Sequence, residues 1–263
     1  MVPFMVERHM DGAVLAVGHE LLLGHTADDN AAWLGARFTE AGGVMGRFAV
    51  CDDDTAAIAE EVARLVGMGP SIMFTTGGLG PTWDDITLGG VAQGLGLEVE
   101  EDGAALEMIR ANYEREARRG NVADPALTHD RAKMARLPAG STPLPNAVGS
   151  APGVRIEAGS TTIFCLPGVP EEMKSIFEES ALPAIRDRFE GREIVQREFE
   201  VAGTDESTLA PYLVAARAEF PDVWIKSRVR VMGSGFAIRI CLEGPAGTRV
   251  EAARAWLEPR LRG

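Results

Sequence analysis

The chain has 263 residues, 46% of them hydrophobic and 25% charged, with a formal net charge of −13. That balance is an ordinary globular one, and its acidity excludes a nucleic-acid backbone or an anionic membrane as the main partner, though not a small phosphorylated ligand whose charge a cation neutralises. Cys51, Cys165 and Cys241 are widely separated, no apolar run approaches the ~20 residues of a bilayer span, and Met1–His9 lacks a signal-peptide core, so a cytoplasmic protein is expected.

Ala13–Val17 is a continuous apolar run ending at Gly18, the pattern of a strand buried on both faces. Asp28 or Asp29 caps a helix with Ala31, Ala32, Leu34 and Phe38 at helical spacing, which Gly42 and Gly43 stop. Val44–Cys51 reads as a second strand. Asp52–Thr55 starts a helix with Ile58, Val62, Leu65 and Val66 on one face, and Ser71–Thr76 is a third strand. Strand and helix alternating with short links predict βαβ units, a mostly parallel sheet, and ligands at the carboxyl ends of its strands. Thr75–Asp85 (TTGGLGPTWDD) lies on that rim, its glycines free to turn sharply and to bring N–H groups near an anion, with Asp84 and Asp85 opening a helix.

Asp102–Arg119 reads as a charged, solvated helix and Thr128–Leu137 as a shorter one; Pro138–Gly153 reads as an ordered loop. Val154–Glu157 and Thr161–Leu166 form a predicted hairpin, and Pro170 suits the first position of the next helix. The pattern resets near Phe189–Glu193. Beyond it, Ile194–Val201 (strand), Asp205–Ala218 (helix), Val223–Arg230 with Phe236–Leu242 (strand pair) and Thr248–Leu261 (helix) give a small βαββα domain. Lys226, Arg228 and Arg230 alternate along one strand, joined by Arg239, and read first as salt-bridged contacts between subunits or domains, second as a phosphate clamp.

Four groups carry the candidate chemistry: Gly18–Gly24 (with Glu20) plus Asp28, Asp29 and Asn30; Thr76, Gly77, Gly78, Leu79 and Gly80 plus Asp84 and Asp85; Asn146, Gly149, Ser150 and Gly153; and Pro167, Gly168 and Glu172. Their motifs, G-x-E-L-L-x-G, G-G-L-G-P-T-x-D-D-x-T, L-P-N-x-V-G-x-A-P-G and L-P-G-V-P-x-E-M, occur in that order between Val17 and Met173. They resemble the N-terminal molybdopterin-binding-type domain of the competence/damage-inducible CinA proteins and, more distantly, the MoaB and MogA enzymes of molybdenum cofactor synthesis. The tail after Ile194 is similar to the small KH-like domain of the same proteins, and the amidase domain that often comes third is expected to be missing. The chain departs from the family pattern at His19, Asp29 and Met134.

The resemblance implies a three-layer α/β/α domain over 1–190 and a KH-like α+β domain over 191–263. It also implies metal-dependent cleavage of a nucleotide diphosphate of the ADP-ribose type, with Asp85 the counterpart of the aspartate that supports adenylyl transfer in the molybdopterin adenylyltransferases. Glu20, Asp84 and Asp85 are the candidate catalytic residues and the expected shell for Mg²⁺, Mn²⁺ or Co²⁺, and Gly77–Gly80 the expected N–H donors. Lys133 either balances phosphate charge or is a surface lysine. The partner expected is a small phosphorylated nucleotide or a pterin, molybdopterin included, on a homo-oligomer (dimer or trimer). The alternatives are pterin binding or adenylyl transfer, and a non-catalytic scaffold. A G-x-x-G clamp for RNA is not visible, and isolated His25 and His129 lack ligand spacing.

Overall fold

The computed structural model describes residues 10–192, 194–232, 235–245 and 248–262. Met1–His9 and Glu193, both used in reading the sequence, lie outside the described residues. The chain divides into two compact units at Arg188/Phe189, with Glu40–Gly42 belonging to the second.

In the first unit, β1 (Gly12–Val17) leads through α1 (His19–Leu22) and α2 (Asp29–Glu40) to β2 (Met45–Cys51), then α3 (Thr55–Gly67), β3 (Ile72–Thr76) and α4 (Thr87–Leu95). A two-stranded ribbon, β4 (Val99–Glu101) with β5 (Arg136–Pro138), brackets α5 (Gly103–Arg118) and α6 (His129–Lys133). The unit closes with β6 (Thr142–Leu144), β7 (Gly153–Ala158), β8 (Thr161–Leu166), α7 (Pro170–Ile176) and, after a π-turn over Phe177–Ala181, α8 (Leu182–Arg188). The six-stranded sheet has the order β2-β1-β3-β8-β7-β6, parallel from β2 to β8 and antiparallel at β8–β7 and β7–β6.

Every residue of β1, β3 and β8 is buried, because helices cover both faces of the sheet. Leu15, Met73, Ile163 and Cys165 pack with Ile58 and Val62 of α3, Val91 of α4 and Ile109 of α5. On the opposite face Phe74 meets Phe38 of α2, Phe164 and Phe177 at ring-centroid distances of 5.7–5.9 Å. Helices α3 and α4 approach closely through two glycines: a Cβ on Gly90 would lie 2.6 Å from Ile58 Cβ, and one on Gly94 2.6 Å from the Ala59 carbonyl oxygen. Gly94→Ala should therefore destabilise by about 1–3 kcal/mol through overpacking, whereas Gly89→Ala, which meets nothing within 4 Å, should leave the melting temperature unchanged or raised; thermal unfolding of the pair checks this.

Several elements differ from the sequence reading. Asp84 and Asp85 do not open a helix: α4 starts at Thr87 behind Ile86 and has no side-chain cap. Helix α5 is not simply solvated, since Ala105, Ile109 and Tyr113 enter the core while Glu107 and Arg110 pair on its exposed side. The helix placed over Thr128–Leu137 ends at Lys133, where the chain turns into β5 to pair with β4, and the stretch read as loop holds β6.

The second unit runs β9 (Ile194–Ala202), α9 (Glu206–Glu219), β10 (Trp224–Met232), β11 (Gly235–Pro245) and α10 (Val250–Arg262), with an antiparallel sheet ordered β10-β11-β9. Phe199, Ile238 and Ile240 pack on Leu209, Ala216, Ala253 and Leu257. Asp205 caps α9 by accepting from Thr208 N at 3.0 Å. The ion pairs of the basic stripe close within its own sheet: Arg230 lies 3.0 Å from Glu200, and Arg239 3.4 Å from both Glu198 and Glu200 of β9. Among the described residues no helix is long and apolar enough to cross a membrane.

Candidate active site

Two clefts, of about 600 and about 410 Å³, open where β1, β3 and β8 end, and they share Gly78, Asp85 and Gly168. Their common floor is the glycine turn after β3. Gly77 (φ 103°) and Gly78 (φ 65°) both adopt the left-handed region that favours glycine. A Cβ on Gly77 would lie 2.3 Å from the Val17 carbonyl oxygen, so the turn presses directly on the end of β1. Gly77 N–H donates to the Leu166 carbonyl at 3.1 Å, while Thr87 N–H, at the head of α4, donates to the Gly78 carbonyl at 3.2 Å. This corrects the expectation for Gly77: its N–H ties β3 to β8, and Gly78, Leu79 and Gly80 are the turn's available donors.

The turn ends in a hydrogen-bonded knot. Asp85 N donates to the Thr82 carbonyl (3.1 Å), Thr82 N returns a bond to Asp85 Oδ2 (2.8 Å), and the Thr82 hydroxyl lies 2.5 Å from both Asp84 Oδ1 and Asp85 Oδ2. The Thr82 hydrogen bond holds the Asp84 carboxyl below its ordinary range. Lys133 Nζ donates to the Thr82 carbonyl and Lys133 lines neither cleft, so it anchors this loop, a role that neither reading of it, as a phosphate-balancing or a surface lysine, had anticipated.

The second cleft is acidic, lined by Glu20, Asp28, Asp29, Asp53, Asp84 and Asp85 with Gly18, Asn30, Thr76 and Gly77. Asp28 also caps α2, accepting from Ala31 N at 2.9 Å. Asn30 Nδ2 donates to Thr76 Oγ1 (3.1 Å) and to the Gly168 carbonyl (2.7 Å), and Thr76 Oγ1 donates to the Pro167 carbonyl (3.2 Å). These bonds clamp α2, β3 and the β8–α7 loop together. His19, a departure from the family pattern, ties α1 to the end of β2: its N donates to Asp53 Oδ2 at 2.8 Å and its Nδ1 lies 3.0 Å from Asp52 Oδ1.

The first cleft is more apolar, walled by Leu79, Tyr113, Val122 and Met134, with Gly80, Gly149, Ser150, Pro167, Glu116 and Glu172 on its rim and floor. Glu172, in the first turn of α7, accepts from Asn146 Nδ2 at 2.6 Å. Asn146 does not line the cleft; it is buried, and its Oδ1 accepts from Val148 N (3.0 Å) and Gly149 N (2.7 Å). Its role is thus to position the loop and Glu172. Arg115 fixes the same loop by donating to the Gly149 carbonyl (2.8 Å) and to Asn112 Oδ1 (2.6 Å). Burial pushes the Glu172 carboxyl above its ordinary value of 4.5, against the opposing Asn146 hydrogen bond. Because the folded chain holds this proton more tightly than the unfolded one, stability should fall as pH rises from the ordinary glutamate value through the raised one. Denaturant unfolding across that window should show a flatter decline in Glu172→Gln than in the wild type.

Glu20, Asp84 and Asp85 all line the second cleft, yet among the described residues no three His, Cys, Asp or Glu side chains gather closely enough to hold a metal ion. The expectation of a ready three-carboxylate metal shell is therefore corrected. Thr82 engages both aspartates, and the Glu20 carboxylate folds back over Gly18, 2.7 Å from where that residue's Cβ would stand. Sequence reasoning also missed Tyr113, Arg115, Glu116 and Asp53. The first three sit on a helix read as solvated; Asp53 stands in a carboxylate run at the end of β2, where the strand-end rule could have flagged it.

A family model described as a "probable molybdopterin binding domain" matches residues 13–187. A protein of Aeropyrum pernix is 43% identical over 222 residues, covering 84% of this chain and 80% of its own length, and one of Thermococcus kodakarensis is 39% identical over 251 residues, covering 95% and 97%. Among solved structures, the protein CinA with unknown function from Thermoplasma acidophilum is 34% identical, covers 66% of this chain and 98% of its own, and superposes with a TM-score of 0.59.

Proposed function

Since this chain belongs to the molybdopterin-binding domain family, we propose that its first unit binds a ring-bearing phosphorylated ligand, nucleotide or pterin, and cleaves a diphosphate linkage in it. One observation carries the reading: a cleft of about 600 Å³ with partly apolar walls and an acidic cleft share Gly78 and Asp85. The ring lies in the first cleft and the diphosphate over Gly78–Gly80, whose N–H groups face its oxygens. The substrate arrives as its Mg²⁺, Mn²⁺ or Co²⁺ salt. Such cations are commonly held by one or two carboxylates plus the phosphates themselves, so Glu20 and Asp84 need only meet the incoming salt. Asp85, at the junction, orients a water for in-line attack. Water adds to one phosphorus, the bridging P–O bond breaks, and two monophosphates leave with release of protons. Incubation of the folded protein with ADP-ribose and each of the three cations, followed by chromatography, should yield AMP; no product with any of them would overturn the hydrolysis.

The family match favours a second reading, adenylyl transfer, in which a pterin phosphate oxygen attacks the α-phosphorus of ATP and displaces pyrophosphate. Pterin fluorescence retained through purification, and pyrophosphate release from ATP only when pterin is present, would support it over hydrolysis. The second unit is read as KH-like.

A further inference from the structure

We propose that the site takes diphosphates substituted at both ends and favours a second substituent with a flat aromatic ring, which stacks on Trp83. The inference rests on the reading of the glycine turn as a diphosphate seat and adds an outer subsite to it. Trp83 fills the position that the motif G-G-L-G-P-T-x-D-D-x-T leaves open, so what it contributes belongs to this chain. Of the four tryptophans it alone is exposed, at 88%. Trp33 packs on Phe177 and Trp256 on Phe220, at ring-centroid distances of 5.1 and 6.2 Å, and Trp224 is half-buried. Tryptophan is highly buried on average, yet among the described residues no ring or cation packs on Trp83. Its neighbours hold it there. The Thr82 hydroxyl lies 2.5 Å from Asp84 Oδ1, Thr82 N donates to Asp85 Oδ2 at 2.8 Å, and Lys133 Nζ donates to the Thr82 carbonyl. Both residues flanking the indole are thus fixed, so seating a ligand on it orders little backbone.

The segment that carries Trp83 runs from one cleft to the other. Gly80 and Pro81 line the first, Asp84 the second, and Asp85 both. Trp83 itself lines neither, but its Cα stands about 3.8 Å from that of Asp84. A ring in the first cleft with a diphosphate over Gly78–Gly80 directs the substrate's other substituent toward Asp84, and so past the indole. Stacking on a single aromatic face accepts any base, because every base has a π-face, and an alanine substitution there weakens binding by about 5- to 150-fold. A terminal sugar has no π-face and gains less. ADP-ribose is thus a substrate that leaves Trp83 largely unused, and a dinucleoside diphosphate is one that covers it.

Titration of the full chain with Mg²⁺ and the methylene-bridged, non-hydrolysable analogues of diadenosine diphosphate, ADP-ribose and ADP tests the assignment, followed by calorimetry and by tryptophan emission. The wild type should bind the diadenosine analogue at least about fivefold more tightly than the ADP analogue, with the ADP-ribose analogue between them. The diadenosine analogue should also quench the emission of the exposed indole, which the ADP analogue leaves unchanged. Trp83→Ala should bring the ratio close to one, keep the affinity for the ADP analogue and abolish the quenching; Trp83→Phe should keep the order. Equal binding of the diadenosine and ADP analogues by the wild type, or a preference that survives in Trp83→Ala, would overturn the role of Trp83 and leave the diphosphate seat standing. An ADP-ribose analogue bound as tightly as the diadenosine one would overturn the preference for a ring. Emission that shifts to the blue with protein concentration alone, and does so only while Trp83 is present, would assign the indole to a contact between copies and overturn the subsite as well. If none of the three binds, the diphosphate reading falls and this inference with it.

Discussion

Asp85→Asn should lower turnover of a diphosphate substrate by about 100-fold or more while leaving the melting temperature near that of the wild type. The size follows from the cost of losing one preorganised electrostatic group at a reacting centre, about 10²–10³ in rate. The preserved stability follows from what Asp85 touches. Its Oδ2 accepts from Thr82 N at 2.8 Å, and the asparagine carbonyl can accept the same bond. It lies against Gly80, where a Cβ would stand 2.6 Å from Oδ2, and asparagine has the same outline. Only the charge facing the two clefts is lost. Substrate affinity should change much less than turnover, because the N–H donors of Gly78–Gly80 are untouched. Steady-state kinetics beside a thermal melt separates the two effects, and a proportionate loss of folding would mean that Asp85 is structural.

Gly77→Ala should be the most damaging single substitution in the turn. The residue sits at φ 103°, where a side chain costs about 1–3 kcal/mol in backbone strain. Its Cβ would also meet the Val17 carbonyl oxygen at 2.3 Å, a backbone atom in a fully buried strand that cannot swing away, adding about 1–3 kcal/mol of overpacking. Together these give roughly 3 kcal/mol or more, which for a unit of this size lowers the melting temperature by about 10 °C. Gly24→Ala is the matched comparison: it too has a left-handed glycine (φ 70°), but nothing lies within 4 Å of its Cβ, so only the strain should register. Equal effects at the two positions would show that the contact with Val17 contributes nothing.

The buried strands are legible because Ala13–Val17 is an apolar run and Ser71–Thr76 centres on Ile72, Met73 and Phe74, each ended by glycine, and the strand-end rule then points to Gly18–Gly24 and Thr76–Asp85. What spacing could not convey was where the side chains on that rim turn. Asp84 and Asp85 are adjacent, but a neighbouring hydroxyl, Thr82, engages both; Lys133 reaches a carbonyl of the same loop. Tyr113, Arg115 and Glu116 were hidden for a different reason. Helix α5 carries so much charge that its narrow apolar stripe, Ala105, Ile109 and Tyr113, reads as a solvated face, although that stripe is what brings Glu116 to the cleft. Asn146 was found as a motif residue, but its burial, and hence its work in holding Glu172 rather than a ligand, depends on a loop closing over it from 38 residues beyond Asn112, whose Nδ2 donates to the Ser150 carbonyl.

A crystal structure with Mn²⁺ and the methylene-bridged, non-hydrolysable analogue of ADP-ribose tests most directly whether the two clefts form one site. The expected result places the ring against Tyr113 and Met134, the phosphonate oxygens on the N–H groups of Gly78–Gly80, and the anomalous signal of manganese on the Asp84 side of the turn. Ligand bound away from the glycine turn, with both clefts empty, would contradict it.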